Sequence, residues 1–375
     1  MDKLFIGLMS GTSLDGVDGV VATFGAGAMP VRVLAHAHRP FTPEFSQQLL
    51  ALNTAGNNEL HLAAVAANEL ARIYAKTVQT LLETSGVQRA QVVAIGAHGQ
   101  TVRHRPGEFD GIGYTLQLNA PALLAELTGI SVVADFRSSD VAAGGQGAPL
   151  VPAFHRAVFG RNDSIVGVLN VGGFSNLTVL GPGETTVGLD CGPGNVLMDH
   201  WCRLHTRFPF DDRGAWAATG TVNAPLLARM LSEPYFARAI PKSTGRDLFN
   251  AGWLMKHLQA SADATAFKPE DVQATLAELT ARACAASLPA NASGLSELLV
   301  CGGGALNAHL MARLATHLPG ARVVATDAVE LPALQVEACA FAWLARAWME
   351  RQAGNLSQVT GARGPRILGA LYPAH

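Results

Sequence analysis

The chain opens on a short unbroken apolar run, Leu4-Phe5-Ile6-Gly7-Leu8, which predicts a buried strand over residues 3–9. A Gly/Asp turn follows, then Val17–Phe24 as a second strand and Val31–Ala37 as a third. Three strands in such quick succession imply an antiparallel start, because parallel pairing needs a long crossover. Leu60–Glu83 carries apolar residues at helical spacing and stops at Ser85-Gly86. Val92–Ile95 reads as a short buried strand running into Gly96-Ala97-His98-Gly99-Gln100-Thr101. Tyr114–Leu118 alternates as a strand, Pro121–Leu127 reads as a helix and Ser131–Val133 as a strand.

The pattern then restarts. Ser164–Asn170 predicts a strand, Gly172-Gly173 a turn, and Asn176–Leu180 and Thr185–Leu189 two more strands. Val272–Leu288 is the clearest later helix. Strand Glu297–Cys301 leads through Gly302-Gly303-Gly304 into a helix expected over Ala305–Leu314, and Leu334–Arg351 reads as a long closing helix. Two α/β domains, each a mixed β-sheet flanked by helices, with a cleft between them, satisfy this repeated plan. The turn-rich run Gly144-Gly145-Gln146-Gly147-Ala148-Pro149 marks the crossing. The expected domains are 1–145, joined by a tail of about 350–375, and 146–349.

Composition narrows the class. Of 375 residues, 49% are hydrophobic and 15% charged, with a net charge of −2, which describes a well-buried globular chain without the basic footprint of a nucleic-acid binder. The apolar opening is too short for a signal peptide, and no run approaches a membrane span. The five cysteines, Cys191, Cys202, Cys284, Cys301 and Cys339, are odd in number and widely spaced. Free thiols in a reducing compartment, the cytoplasm, are the expectation, and no Cys/His cluster has the spacing of a zinc site. Glycine stands out: 39 residues, grouped at 11–16, 144–147, 172–173, 192–194 and 302–304. Such groups sit where backbone turns sharply or approaches a ligand closely.

Four runs could carry chemistry. In Met9-Ser10-Gly11-Thr12-Ser13-Leu14-Asp15-Gly16-Val17-Asp18, exposed backbone N–H groups make an anion nest and Thr12 and Ser13 add hydroxyls. Asp15 and Asp18 suit a phosphate site only if Mg²⁺ neutralises the nucleotide; the direct ligands of such a metal are not readable from the sequence. Taken alone, Asp15-Gly16 is ordinary hairpin chemistry. Asn170–Asn176, with Gly172 and Gly173, occupies the equivalent place in the second half, so the two turns could grip phosphates from both sides; Gly-Gly between strands is also a plain tight turn. Gly302, Gly303 and Gly304, followed by Asn307, could lay a nucleotide on a helix N-terminus or could serve close helix–strand packing. Asp190, before Cys191-Gly192-Pro193-Gly194-Asn195, is placed as a general base at a strand end or as a helix cap. Gln100, Thr101, Arg137 and Glu337 supply further polar groups, Glu337 at the start of an apolar helix. His98 reads equally as core or functional. His36 and His38 share one strand face but lack a third metal ligand.

Together these runs carry a resemblance. Residues 9–18, Ala97–Val102, Ala134–Arg137, Gly144–Pro152, Asn170–Asn176, Asp190–Asn195, Cys301–Asn307 and Gln335–Ala338 resemble, in order, the blocks of the anhydro-N-acetylmuramic acid kinase family. That resemblance implies an actin/hexokinase-like fold with two RNase H-like domains. It also implies an enzyme of peptidoglycan recycling that uses ATP and water to convert 1,6-anhydro-N-acetylmuramic acid into N-acetylmuramic acid 6-phosphate and ADP. ATP with Mg²⁺ is then expected at residues 11–18, Gly172, Gly173, Gly302–Gly304 and Asn307. The water-activating carboxylate corresponds to Asp190, and the sugar to Gln100, Thr101, Arg137, Asp190 and Glu337. The expected partners are these small molecules, with no nucleic acid or membrane, and a homodimer fits the family.

Overall fold

Apolar runs punctuated by glycine build two sheets of one plan in the computed structural model of the chain, which describes residues 3–25, 30–240, 242–259, 267–289, 292 and 294–374. The strands are β1 Leu4–Met9, β2 Gly16–Phe24, β3 Val31–Pro40, β4 Val92–Ala97, β5 Gln100–Pro106, β6 Gly113–Leu118, β7 Val132–Ala134, β8 Ile165–Val171, β9 Phe174–Leu180, β10 Thr186–Pro193, β11 Leu295–Cys301, β12 Arg322–Ala325 and β13 Ala370–Tyr372. The first sheet runs β13-β7-β4-β1-β2-β3 and the second β10-β9-β8-β11-β12. In each, three successive strands pair antiparallel, and a fourth and fifth then lie parallel beside the first. The duplicated strand order and directions are the mixed-sheet α/β plan that the sequence predicts twice over. They make the β1–β2 turn the counterpart of the β8–β9 turn at Gly172-Gly173.

The chain divides into two units, Met1–Val158 with Gln335–His375, and Phe159–Leu334. The expected divisions were 145/146 and about 350. Both differ: the first unit runs on to Val158, and the helix over 336–349 belongs with the first sheet. The helices are α1 Pro43–Ala51, α2 Glu59–Ser85, α3 Pro121–Thr128, α4 Ser138–Ala142, α5 Val151–Phe159, α6 Val196–Thr206, α7 Ala224–Leu231, α8 Ala251–Gln259, α9 Pro269–Ala286, α10 Ala308–His317, α11 Val336–Met349 and α12 Ser357–Thr360. A side chain at Gly7 of β1 would strike the Ala338 carbonyl at 1.9 Å, and one at Gly96 of β4 the Phe341 carbonyl at 2.0 Å. Backbone therefore packs directly on backbone where α11 crosses the first sheet. The opposite face carries Ile6, Leu8, Val17, Val21 and Ile95 against Leu70, Tyr74, Val78 and Leu81 of α2, one continuous apolar core. The tail returns to this unit through β13, antiparallel to β7.

In the second unit α9 is buried along nearly its whole length and supplies the core. It starts at Pro269, three residues before the predicted start. Two further differences matter for chemistry. β10 runs on to Pro193, so Asp190 lies inside the strand, not at its end. After Gly302 the chain makes a short 3-10 turn, Gly303–Leu306, and α10 begins at Ala308 instead of Ala305. Among the described residues no helix is long and apolar enough to cross a membrane.

Candidate active site

In the first unit the β1–β2 loop is fixed from behind by its own chain. Ser10 Oγ donates to the Gly99 carbonyl at 3.1 Å, Gly99 N donates to the Tyr74 hydroxyl at 3.1 Å, and that hydroxyl donates back to Ser10 Oγ at 3.4 Å. This closed ring ties the loop to the β4–β5 corner. Leu14 takes a left-handed backbone at φ 57°. Its side chain and that of Val17 lie in the apolar core, so only their backbone can face a ligand. Thr12, Ser13 and Asp15 are exposed, and Ser13 Oγ donates to Asp15 Oδ1 at 2.7 Å. Gly16 is glycine because β3 passes close: a Cβ there would meet the Arg39 carbonyl at 2.5 Å. Asp18 sits within β2, its Oδ1 against His36 Nε2 at 3.0 Å and His38 Nδ1 at 3.2 Å. The shared face of the two histidines thus serves a carboxylate.

Four of the five polar residues expected around a sugar lie in this unit; the fifth, Asp190, lies in the second. Gln100, the first residue of β5, is buried and donates from Nε2 to the Gly11 carbonyl at 3.1 Å. Thr101 accepts from Gln117 Nε2 at 3.3 Å. Arg137 donates from Nη1 to the Gly147 carbonyl at 2.8 Å and from Nη2 to His98 Nε2 at 2.9 Å. Burial holds its pKa down to about 10, partly offset by the Glu337 and Asp140 carboxylates. Glu337 is half-buried in the first turn of α11. Three buried atoms here lack a hydrogen-bond partner: Gln100 Oε1, Asn119 Oδ1 and Arg137 Nε. Unpaired buried polar atoms are costly, and a set of two acceptors and one donor is what a polar ligand would satisfy.

In the second unit Asp190 lies opposite Asn176, and the register slips at Cys191 so that Gly192 faces Ser175. Gly192 adopts φ 140°, and the Phe236 ring fills the space where its side chain would be. The bulge re-aims the strand at Asp190. Asp190 caps nothing: the N-cap of α6 is Asn195, without a side-chain bond. Instead its Oδ2 accepts from Thr244 N at 3.1 Å, its backbone N donates to the Lys242 carbonyl at 3.2 Å, and its carbonyl accepts from the Tyr235 hydroxyl at 2.7 Å. Burial raises its carboxyl to about 6, the Thr244 bond opposing in part. The Gly172 and Gly173 carbonyls accept from the backbone N–H groups of residues 194–196. Asn307 caps α10, its Oδ1 accepting from Leu310 N at 2.9 Å.

The glycines of these turns fall into two kinds. Gly302 has φ 77° and its Cβ would strike Asn170 Oδ1 at 2.4 Å, and one at Gly304 would strike the Val171 side chain at 2.3 Å. Those two are demanded by packing. A Cβ at Gly11 would meet nothing nearer than 3.6 Å, one at Gly172 nothing nearer than 3.7 Å, one at Gly303 nothing nearer than 3.5 Å, and one at Gly173 nothing within 4 Å.

The sequence pattern of the family described as Anhydro-N-acetylmuramic acid kinase matches residues 3–374. The chain belongs to the anhydro-N-acetylmuramic acid kinase family. It is 62% identical to the anhydro-N-acetylmuramic acid kinase of Variovorax paradoxus strain S110, over 99% of each chain. It is 58% identical to that of Albidiferax ferrireducens over 100% of each, and 55% identical to that of Cupriavidus metallidurans over 99% of this chain and 98% of the other.

For a member of the anhydro-N-acetylmuramic acid kinase family, the open glycines give a direct test. Gly173→Ala is expected to leave Tm within about 2 °C, since its Cβ would meet no described atom within 4 Å, while raising the KM for ATP at least about tenfold. Gly304→Ala is expected to lower Tm markedly through its clash with Val171. Equal losses of stability in both variants would remove the distinction between ligand space and packing. Several residues near these groups escaped the sequence reading: Asn119, Asp140, Tyr235, Lys242 and Thr244. Only Asn119 carried a local signal, being a polar residue directly after an alternating strand.

Proposed function

We propose that this chain is an ATP-dependent kinase that hydrolytically opens 1,6-anhydro-N-acetylmuramic acid and phosphorylates O6. The products are N-acetylmuramic acid 6-phosphate and ADP, within peptidoglycan recycling. The observation that carries the reading is Asp190, a carboxylate on a strand bulge whose pKa burial lifts to about 6. A base with that pKa is largely ionised at neutral pH yet more basic than an exposed aspartate, which suits it to take a proton from water.

In the proposed reaction water attacks the anomeric carbon while the bond from that carbon to O6 breaks. The water proton passes to Asp190, its oxygen stays on the anomeric carbon, and O6 takes the γ-phosphoryl group from ATP. No separate acid is then needed for the leaving oxygen, because phosphorylation caps it. Phosphoryl transfer asks the protein for alignment and charge stabilisation. Residues 11–18, Gly172, Gly173, Gly302–Gly304 and Asn307 are assigned to ATP, the open glycines leaving room where phosphates approach backbone. Mg²⁺ would be held at the exposed Asp15, whose second oxygen is not engaged by Ser13, and would neutralise phosphate charge. Arg137 is assigned to the lactyl carboxylate, with Gln100, Thr101 and Glu337 completing the sugar contacts. The reaction belongs in the cytoplasm, where ATP is available; the five cysteines, all buried and free, fit a reducing compartment.

Mass spectrometry of products made from ATP and 1,6-anhydro-N-acetylmuramic acid in ¹⁸O water, quenched before anomeric exchange, tests the reading. One ¹⁸O in the sugar phosphate and none in ADP is expected. An unlabelled sugar phosphate, or equal phosphorylation of ordinary reducing sugars, would show a plain sugar kinase. Binding of both ligands without turnover would show a sensor.

A further inference from the structure

The residue that precedes the loop assigned above to ATP and a residue assigned to the sugar meet on one imidazole. The Ser10 carbonyl precedes the nucleotide loop, and it lies 3.2 Å from His98 Nδ1. The Arg137 guanidinium, assigned to the sugar's carboxylate, lies 2.9 Å from His98 Nε2. A carbonyl only accepts and a guanidinium only donates, so Nδ1 must carry the proton and Nε2 must be bare. The ring is therefore neutral with a single tautomer, and burial together with Arg137 holds its pKa down to about 3. Its ring packs tilted against Phe341, the two ring centroids 4.6 Å apart. A second tie runs alongside, from Gln100 Nε2 to the Gly11 carbonyl at 3.1 Å. Because Ser10 is locked into the ring with Gly99 and Tyr74, a shift of the loop's first residues moves the corner that carries His98.

We propose that His98 is a positioning residue that couples nucleotide occupancy of the first loop to the orientation of Arg137 for the sugar. The proposal rests on the assignment of that loop to ATP and of Arg137 to the lactyl carboxylate. Phosphate drawn onto Gly11–Ser13 reorients the Ser10 carbonyl, the imidazole follows its donor bond, and the guanidinium follows the bare nitrogen. A carboxylate on Arg137 acts back along the same bonds, and linkage makes the two effects equal. His98 neither gives nor takes a proton in the reaction.

Binding of 1,6-anhydro-N-acetylmuramic acid to the full chain, measured by calorimetry with and without a non-hydrolysable ATP analogue, tests this. In the wild type the nucleotide is expected to tighten sugar binding on the order of 5- to 150-fold. His98→Phe keeps the ring on Phe341 but removes both hydrogen bonds, so the factor should fall to near one, with the sugar KM rising more than the ATP KM or kcat. His98→Gln carries one donor and one acceptor and should restore most of the factor. If His98→Phe does not fold, His98→Asn decides: it can reach Ser10 but not Arg137, so its factor should also approach one. A folded Phe or Asn variant with the wild-type factor overturns the proposal. So does a wild-type factor of one, which leaves the functional reading standing. A wild-type chain that binds no anhydro sugar overturns both.

Discussion

Asp190→Asn is expected to lower kcat by 10³-fold or more while leaving the affinities for ATP and the anhydro sugar within about threefold. General-base catalysis contributes about 10²–10⁴ in rate, and an amide cannot accept the water proton. Asparagine keeps an oxygen for Thr244 N, so the bulge should hold its shape. In the wild type, kcat/KM should fall on the acid side with an apparent pKa near 6, the value to which burial raises this carboxyl. The same shift has a stability consequence of definite sign. The folded-state pKa lies above the ordinary 3.8, so ionising Asp190 opposes folding, and the penalty is complete once pH has risen well past 6. Converted at 1.36 kcal/mol per unit, it is about 3 kcal/mol at most. The asparagine variant should therefore melt higher than wild type at pH 8, with the gap closing toward pH 4. Normal turnover in Asp190→Asn, or a lower Tm at pH 8, would remove Asp190 from the role of a strained base.

The second large effect concerns Arg137. Arg137→Met should reduce kcat/KM for 1,6-anhydro-N-acetylmuramic acid about 10²- to 10³-fold, a loss of roughly 3–4 kcal/mol, typical for one partner of a desolvated charge pair. With 1,6-anhydro-N-acetylglucosamine, which lacks the lactyl group, the loss should stay under about tenfold. The comparison matters because Arg137 also bonds Gly147 and His98, so a general distortion would penalise both sugars alike. Parallel losses would assign Arg137 to the architecture of the site and leave the carboxylate without a partner. The unpaired Nε is the specific reason to expect the difference.

How much of this was written in the sequence depends on how local the cause is. β1, β2, β8 and β9 were legible because each is a dense apolar run ending at glycine or a polar turn, and neighbouring strands in sequence pair in space. β5 was not: Gln100, Thr101, Arg103, His104 and Arg105 give no apolar alternation, and the strand exists because β6 returns antiparallel to it. α1 was missed because only Phe45 and Leu49 of its nine residues are buried; its start is set by Thr42, whose side chain accepts from Phe45 N. The Asp190 block was recognisable as a block. Its environment was not, because Thr244 and Tyr235 arrive 54 and 45 residues later in the chain. His98 looked neutral for the same reason, its partners being Ser10 and Arg137, 88 residues before it and 39 after. Glycine counts located the turns, but only three-dimensional packing separates Gly304, which the Val171 side chain requires, from Gly173, which no protein atom requires.

Asp140 draws these distances together. It is fully buried and accepts from Gly147 N at 2.8 Å, Asn355 Nδ2 at 2.6 Å and Thr360 Oγ1 at 2.7 Å. Gly147 in turn receives Arg137 on its carbonyl. The first unit is interrupted between Val158 and Gln335, and the residues that complete it include α11 and this tail. During synthesis, residues 159–334 can close their own core as soon as they emerge. The first unit cannot: its sheet lacks the covering helix, and Asp140 lacks two of its three donors, until residues 336–360 have been made. A ribosome stalled before that stretch would therefore carry a finished second unit and a first unit whose Asp140 still lacks Asn355 and Thr360.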